Sequence, residues 1–241
     1  MHIHFIIHEA FEAPGAFLQW AQDNHHKTSF THLYKGEQFS ETLTAEAFDQ
    51  LDMLIIMGGP QSPATTDCPH FNSPQEQAVI KQAIDLDKIV IGVCLGAQMI
   101  GEALGAAFSK SPFKETGKFQ IQMTEQGITH PFFEHFESEA EVGHWHNDMP
   151  GLTDDALVLA SSAGCPRQIV SYSKWVFGFQ CHLELNKEVV AQLIANDDLS
   201  DANTQPYVEN AETLLSHDYT EMNQLLWTFL DKVSRAYQIK N

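Results

Sequence analysis

Positive charge is scarce in this 241-residue chain: 13 Lys and Arg stand against 32 Asp and Glu, a formal net charge of −19. A surface that acidic repels phosphate backbones and anionic headgroups, which argues against nucleic acid and membrane surfaces as partners. Long apolar runs are also missing. Nowhere do eighteen apolar residues run together, so no membrane span is expected. The opening MHIHFIIHEAFEAPG has no Lys or Arg before its short apolar run and reads as a first strand, not a signal peptide. Cysteine is sparse: Cys68, Cys94, Cys165 and Cys181 are widely spaced, with no Cys-x-x-Cys pair. They read as reduced thiols of a cytoplasmic protein. There is no Gly-x-x-x-x-Gly-Lys loop and no dinucleotide fingerprint, so no nucleotide cofactor is expected. Histidine is plentiful, with 13 residues, and His2/His4 and His144/His146 have the same-face spacing of strand ligands. No matching Cys/His/Asp cluster accompanies them, so no metal is expected.

What is present is an alternation of strand-like and helical runs. His4–His8, Ser29–Tyr34, MLIIM at 53–57 and IVIGV at 89–93 read as strands. Between them, GAFLQWAQDNH has helical spacing, and SPQEQAVIKQAIDLD opens a helix at Ser73 with Pro74 at its first position. Continuous apolar strands alternating with helices predict a mostly parallel sheet covered on both faces. From about residue 107 the texture changes. FQIQM, LVLAS, QIVSY and WVFGFQC are short and closely spaced, which predicts an antiparallel addition. After Asn186 the chain reads as helical, ending in a stripe of Met222, Leu225, Phe229 and Val233 that is core packing. The expectation is one α/β domain over 1–241 with a C-terminal helical extension at about 187–241.

Gly92-Val93-Cys94-Leu95-Gly96 places a cysteine where a buried strand turns into a helix. Glycines two before and two after permit the close approach of a nucleophile elbow, here with Cys in the role that Ser has in hydrolases. The helix beginning near Leu95 aims free N–H groups and partial positive charge at the sulfur, and the Leu95 N–H can hold an oxyanion. In isolation the same motif also describes a buried structural cysteine, so a base is required. His182 ends the run WVFGFQC, and Glu184 lies two residues on. Residues i and i+2 of an extended segment share a side, so Glu184 can hold one imidazole nitrogen while the other faces Cys94. Cys181 then points the opposite way and is structural. A second apolar strand runs into Gly58-Gly59-Pro60, whose glycines leave a backbone N–H bare.

GGPQSP, then GVCLGAQ, then HLE near residue 182 resemble the class I (triad) glutamine amidotransferases, most closely their stand-alone GMP-synthase-like subgroup. The resemblance extends through HEAFEAPGAFLQWA, GHWHNDMP, ASSAGCPRQIVSY and PYVENAETLL, nearly the whole chain. It implies the flavodoxin-like fold of that family, with Cys94 as nucleophile, His182 as base and Glu184 as its orienter. It further implies Gly59 and Leu95 as oxyanion donors, and Gln98, Trp145, His146 and Asn147 as the lining of the glutamine pocket. Two departures stand out. The family's Phe-His-Pro-Glu is here Cys181-His182-Leu183-Glu184, and Asn147 replaces a usual Gly.

The activity implied is hydrolysis of the glutamine side-chain amide through a γ-glutamyl thioester, releasing ammonia and glutamate. Family members pass ammonia to a synthase domain, for which this chain has no residues left over. The acceptor is therefore a separate synthase, or else the enzyme hydrolyses γ-glutamyl peptides or amides to water. A non-catalytic regulatory subunit on the same fold is the alternative of another class, and the intact Cys94/His182/Glu184 set argues against it. A chaperone-like or protease-like elbow-cysteine protein fits less well, because His182 is accompanied by Glu184. The sequence leaves the oligomeric state open.

Overall fold

The computed structural model describes residues 1–202 and 204–240. Its centre is a nine-stranded sheet. The strands are β1 (His2–Ile7), β2 (Lys27–His32), β3 (Met53–Ile56), β4 (Ile89–Val93), β5 (Ser109–Met123), β6 (Glu139–Met149), β7 (Leu157–Ser162), β8 (Ile169–Ser173) and β9 (Val176–Phe179). The helices are α1 (Gly15–Asp23), α2 (Phe39–Thr42), α3 (Ala45–Gln50), α4 (Ser73–Asp85), α5 (Leu95–Ala103), α6 (Glu125–Thr129), α7 (Lys187–Asn196), α8 (Ala211–Ser216) and α9 (Thr220–Lys240). Strand order is β2-β1-β3-β4-β9-β8-β7-β5-β6. The first five of these pair in parallel, and the rest are added antiparallel. The architecture is thus the expected α/β sheet with an antiparallel extension. Among the described residues no helix is long and apolar enough to cross a membrane.

The parallel strands are apolar throughout because both faces are covered. Along β3, Met53 and Ile55 pack toward α1, α7 and α9, while Leu54 and Ile56 pack toward α3, α4 and α5. That alternation is the two-residue period of a strand, and here neither side is left to solvent. Helix α4 starts where the sequence indicates: Asn72 accepts the Gln75 N–H at 3.1 Å, with Pro74 in the first turn.

Several elements differ from the reading of the sequence alone. The strand expected from FQIQM begins ten residues earlier, and GHWHNDMP lies on its neighbour β6. Both stretches are rich in polar residues, several of them buried, and Pro112 interrupts the first, where the β5–β6 register shifts between Lys110 and Glu115. Strand β9 stops at Phe179, so His182 follows the strand instead of ending it. On α9 it is Leu226 and Leu230 that are fully buried beside Met222, Phe229 and Val233, with Leu225 only half covered. Residues 187–240 carry α7, α8 and α9. Asn203 and Asn241, within the expected helical extension, lie outside the described residues.

Helix α5 crosses β3 and β4 with no room between backbones. A Cβ on Gly92 would overlap the Gly96 carbonyl, and one on Gly96 would overlap the Ile56 carbonyl. Gly96→Ala is therefore expected to lower the unfolding free energy by about 3 kcal/mol, at the upper end for overpacking. Urea unfolding of wild type and variant checks this; equal midpoints would show that the helix can move aside.

Candidate active site

Strand β4 ends at Val93 and α5 begins at Leu95, so Cys94 alone turns the chain. It does so at φ 51° and ψ −108°, a backbone conformation that strains a non-glycine residue by roughly 1–3 kcal/mol. The strain is held by the flanking glycine contacts and by the Cys94 N–H, which donates to the Phe179 carbonyl at 2.7 Å. The thiol lies at the base of a cleft of about 310 Å³, a size suited to a small molecule. It sits 3.5 Å from the Trp145 carbonyl oxygen.

The segment after β9 brings a histidine–carboxylate pair to the same place. His182 Nδ1 is 2.7 Å from Glu184 Oε1, and both side chains are almost wholly buried. Burial opposes a charged imidazole there, but Glu184 and the adjacent Cys94 outweigh it and raise the His182 pKa well above its ordinary value. Nε2 has no hydrogen-bond acceptor of regular geometry, yet the Cys94 sulfur is near enough to favour the protonated ring. His182 and Glu184 thus meet through their side chains, although the backbone bends at Leu183 and Glu184 and does not run on as extended strand. Leu183, where the family has proline, is fixed from outside the segment. Asn223 of α9 donates its amide to the carbonyls of Leu183 (2.7 Å) and Leu185 (3.0 Å). His182 exchanges two backbone hydrogen bonds with Gly143 of β6, and the Ala16 N–H of α1 takes the Glu184 carbonyl.

Of the other expected residues, Gly59, Gln98, Trp145, His146 and Asn147 border the same cleft, while Leu95 is buried outside its lining. The Gly59 N–H donates to nothing among the described residues. Leu95, the first residue of α5, has an N–H with no intrahelical acceptor. Gln98 is tied through Nε2 to Gln180 Oε1 at 3.1 Å and keeps its own Oε1 unpaired. The Trp145 indole donates to Asp197 at the end of α7, and Asn147 is exposed.

His146 is held from behind by a buried polar cluster that the sequence did not reveal. Glu115 Oε2 lies 3.2 Å from His146 Nε2 and accepts from the Gln168 amide at 2.6 Å, while Ser162 donates to both carboxylate oxygens. Burial alone would raise the Glu115 pKa; these hydrogen bonds and His144 lower it instead. Glu115, His146 and Cys165 are close enough together to suggest a metal set. The Gln168 amide nitrogen fills the space among them, 2.9 to 3.2 Å from Ser162, His144 and His146. Burial also keeps the Cys165 thiol protonated. The cluster is a scaffold behind the pocket wall. Cys181, likewise buried with a thiol pKa pushed well up, is structural as expected.

Glu12 is the residue that sequence reasoning passed over, although it lies in the motif HEAFEAPG. Its carboxylate borders the cleft, only 8 % exposed, and a Cβ on Gly58 would sit 2.7 Å from its Oε2. Burial first, then the neighbouring Glu184, raise its pKa to about 7 against the opposing pull of His182 and His8.

This arrangement has the fold of the class-I glutamine amidotransferases. The chain belongs to that family: the model of the glutamine amidotransferase class-I family matches residues 24–201. YfeJ of Salmonella typhimurium, described as glutamine amidotransferase-like, is 48 % identical over 244 residues, the whole of both chains. The crystal structure of SMU.1228c superimposes with a TM-score of 0.93 at 47 % identity, covering 97 % of this chain and 100 % of that one. The glutamine amido transferase of Methylobacillus flagellatus shares the fold, with a TM-score of 0.85 at 24 % identity over 97 % of this chain and 94 % of that one. A glutamine-hydrolysing GMP synthase of Caldanaerobacter subterraneus is 29 % identical over 135 residues, 55 % of this chain but 24 % of that enzyme. Membership of this family supports hydrolysis of the glutamine amide in general terms.

The raised pKa of Glu12 has a thermodynamic consequence. An unfolded Glu loses its proton near 4.5, the folded one near 7. The folded state therefore binds the extra proton between those values, and stability falls as pH rises through that window. Above pH 7 the ionised group costs up to about 3 kcal/mol. Glu12→Gln should raise unfolding free energy at pH 8 by about that order and leave it nearly unchanged at pH 4. Denaturant melts at both pH values check this; equal increments at the two would contradict the assignment.

Proposed function

We propose that the chain is a cysteine-dependent amide hydrolase that splits the side-chain amide of glutamine, or of a γ-glutamyl compound, by way of a γ-glutamyl thioester. The observation that carries this reading is Cys94 at a cleft that Gly59 also lines, with the His182–Glu184 pair beside the sulfur and the backbone N–H groups of Gly59 and Leu95 unclaimed. The Cys94 sulfur attacks the carbonyl carbon as His182 holds its proton. The carbonyl oxygen becomes an oxyanion on the Gly59 and Leu95 N–H groups. Nε2 of His182 returns the proton to the departing nitrogen, the C–N bond breaks, and ammonia or an amine leaves. His182 then takes a proton from water, whose oxygen attacks the thioester; the carbon–sulfur bond breaks, and glutamate and the free thiol result. Glu184 orients and stabilises the imidazolium throughout. Gln98, Trp145, His146 and Asn147 line the glutamyl subsite.

A second reading is favoured by the reach of the cleft. It extends past the sulfur to Leu193 and Asn196 of α7 and to Asp197 just after it, with Lys110 and Lys114 at its border. That space suits a leaving amine larger than ammonia, as in a γ-glutamyl peptide or amide. Relatives in Methanococcus maripaludis and Thermoplasma acidophilum are named as one subunit of a glutamine-hydrolysing GMP synthase. Those names keep a separate ammonia-accepting synthase as the remaining partner for glutamine itself. We read the chain as one domain working in the reducing cytoplasm, in keeping with its four free cysteines.

Cys94→Ala is expected to abolish release of glutamate from glutamine and from a panel of γ-glutamyl amides. Glu184→Gln should leave a measurable rate, lower by about four orders of magnitude where the wrong imidazole tautomer is locked in. Glutamate, ammonia and amine are quantified together; wild-type activity in either variant rejects the assignment.

A further inference from the structure

Two buried residues outside this machinery converge on the loop that carries Gly59. His8, directly after β1, has its Nδ1 3.0 Å from the Gly58 carbonyl oxygen. Its Nε2 lies 3.0 and 3.1 Å from the two carboxylate oxygens of Glu76, in the first turn of α4. Both side chains are fully buried. Each ring nitrogen faces an acceptor, so each donates, and the ring is an imidazolium. Burial works against that charge, but Glu76, its hydrogen bonds, the Gly58 carbonyl and the nearby Glu12 together raise the His8 pKa. A buried ion pair adds little net stability; what it offers is a fixed direction.

The direction matters because of the peptide it fixes. In a trans peptide the carbonyl and the following N–H point opposite ways. The Gly58 carbonyl is drawn to His8, and the Gly59 N–H on the same peptide claims no acceptor among the described residues. Gly59 itself borders the cleft together with Cys94. Two successive glycines otherwise rotate such a peptide at little cost. A flipped peptide would aim an oxygen, not an N–H, at the developing oxyanion.

We propose that His8 and Glu76 are positioning residues that pin the Gly58–Gly59 peptide with its N–H turned toward Cys94, so that the oxyanion hole is set before substrate arrives and without a second protein. The proposal rests on the hydrolase reading above and deepens it: it gives a physical reason why this chain completes its reaction alone. His8 gives up no proton in the cycle. When the carbon–sulfur bond forms, the carbonyl electron pair moves onto oxygen and is met by an N–H already in place.

Two substitutions at position 8 separate the roles of the ring nitrogens. An Asn amide reaches the place of Nδ1 and still donates to Gly58; a Gln amide reaches the place of Nε2 and meets only Glu76. His8→Gln is expected to lower kcat on a γ-glutamyl anilide by about 10²–10³, the loss typical of one oxyanion donor, with KM little changed. His8→Asn should recover most of it. Alkylation of Cys94 by iodoacetamide needs no oxyanion hole and should proceed at the wild-type rate in both. Wild-type kcat in His8→Gln, or alkylation falling in proportion to kcat, overturns the proposal. Should His8→Gln fail to fold, Glu76→Ala removes the second anchor of the ring; kcat should fall about tenfold or more with alkylation intact, and unchanged kcat overturns the proposal. If wild-type protein releases no glutamate from any γ-glutamyl compound, the hydrolase reading fails. The loop is then tested by a γ-glutamyl aldehyde, whose thiohemiacetal needs the same N–H. Binding about 10²-fold weaker in His8→Gln supports the proposal, and equal or no binding to the wild type and variant overturns it.

Discussion

Helix α5 rests on the end of β3 through a contact between Gly96 and the Ile56 carbonyl that leaves no space for a side chain. That approach sets the pitch of the turn at Cys94, because β4 must hand the chain to α5 within one residue. It also brings the first N–H of α5 beside the Gly58–Gly59 loop, which follows β3 directly. Cys94, the Leu95 N–H and the strand that leads to Gly59 are therefore positioned by a single backbone contact. The strained φ of Cys94 is the local cost, held down by a core in which β3 and β4 are buried on both faces.

Around this elbow the molecule places charge where burial makes it expensive. His8–Glu76, His182–Glu184 and Glu115 with His146 are all buried carboxylate–imidazole contacts, each tied to a different wall of one cleft. Each draws its stability from pairing, and each gives direction to a group that faces the cleft. Glu12 is different: it has burial and a neighbouring carboxylate but no hydrogen-bonded cation among the described residues, so its pKa is raised to about 7. A carboxyl so placed lowers stability, which is the usual mark of a position kept for what it does and not for how it packs.

The parallel half of the sheet was legible because strands covered on both faces read as unbroken apolar runs, as MLIIM and IVIGV do. The cysteine elbow and the His-x-Glu pair were legible because their chemistry is local, set by glycines two residues away and by a separation of two residues. β6 and the first half of β5 were not, since runs of polar residues and Pro112 break the pattern. Asn223, forty residues from Leu183, takes over the restraint that a proline would supply, and no local signal marks it. His8 and Glu76 are sixty-eight residues apart and meet only through the packing of α4 on the sheet. Glu12 stood within a recognisable motif, but its pKa is raised by burial and by Glu184 against the pull of His182 and His8, an environment that only the fold assembles.

The central claim is that this chain forms and resolves a γ-glutamyl thioester on Cys94 by itself. The direct measurement is rapid mixing of the isolated protein with a γ-glutamyl amide, acid quenching, and mass analysis of the peptide containing residues 89–105. One γ-glutamyl increment on Cys94, appearing before free glutamate and decaying as glutamate accumulates, is the predicted result. Glutamate release with no increment on that peptide, or an increment on Cys68, Cys165 or Cys181, would contradict it.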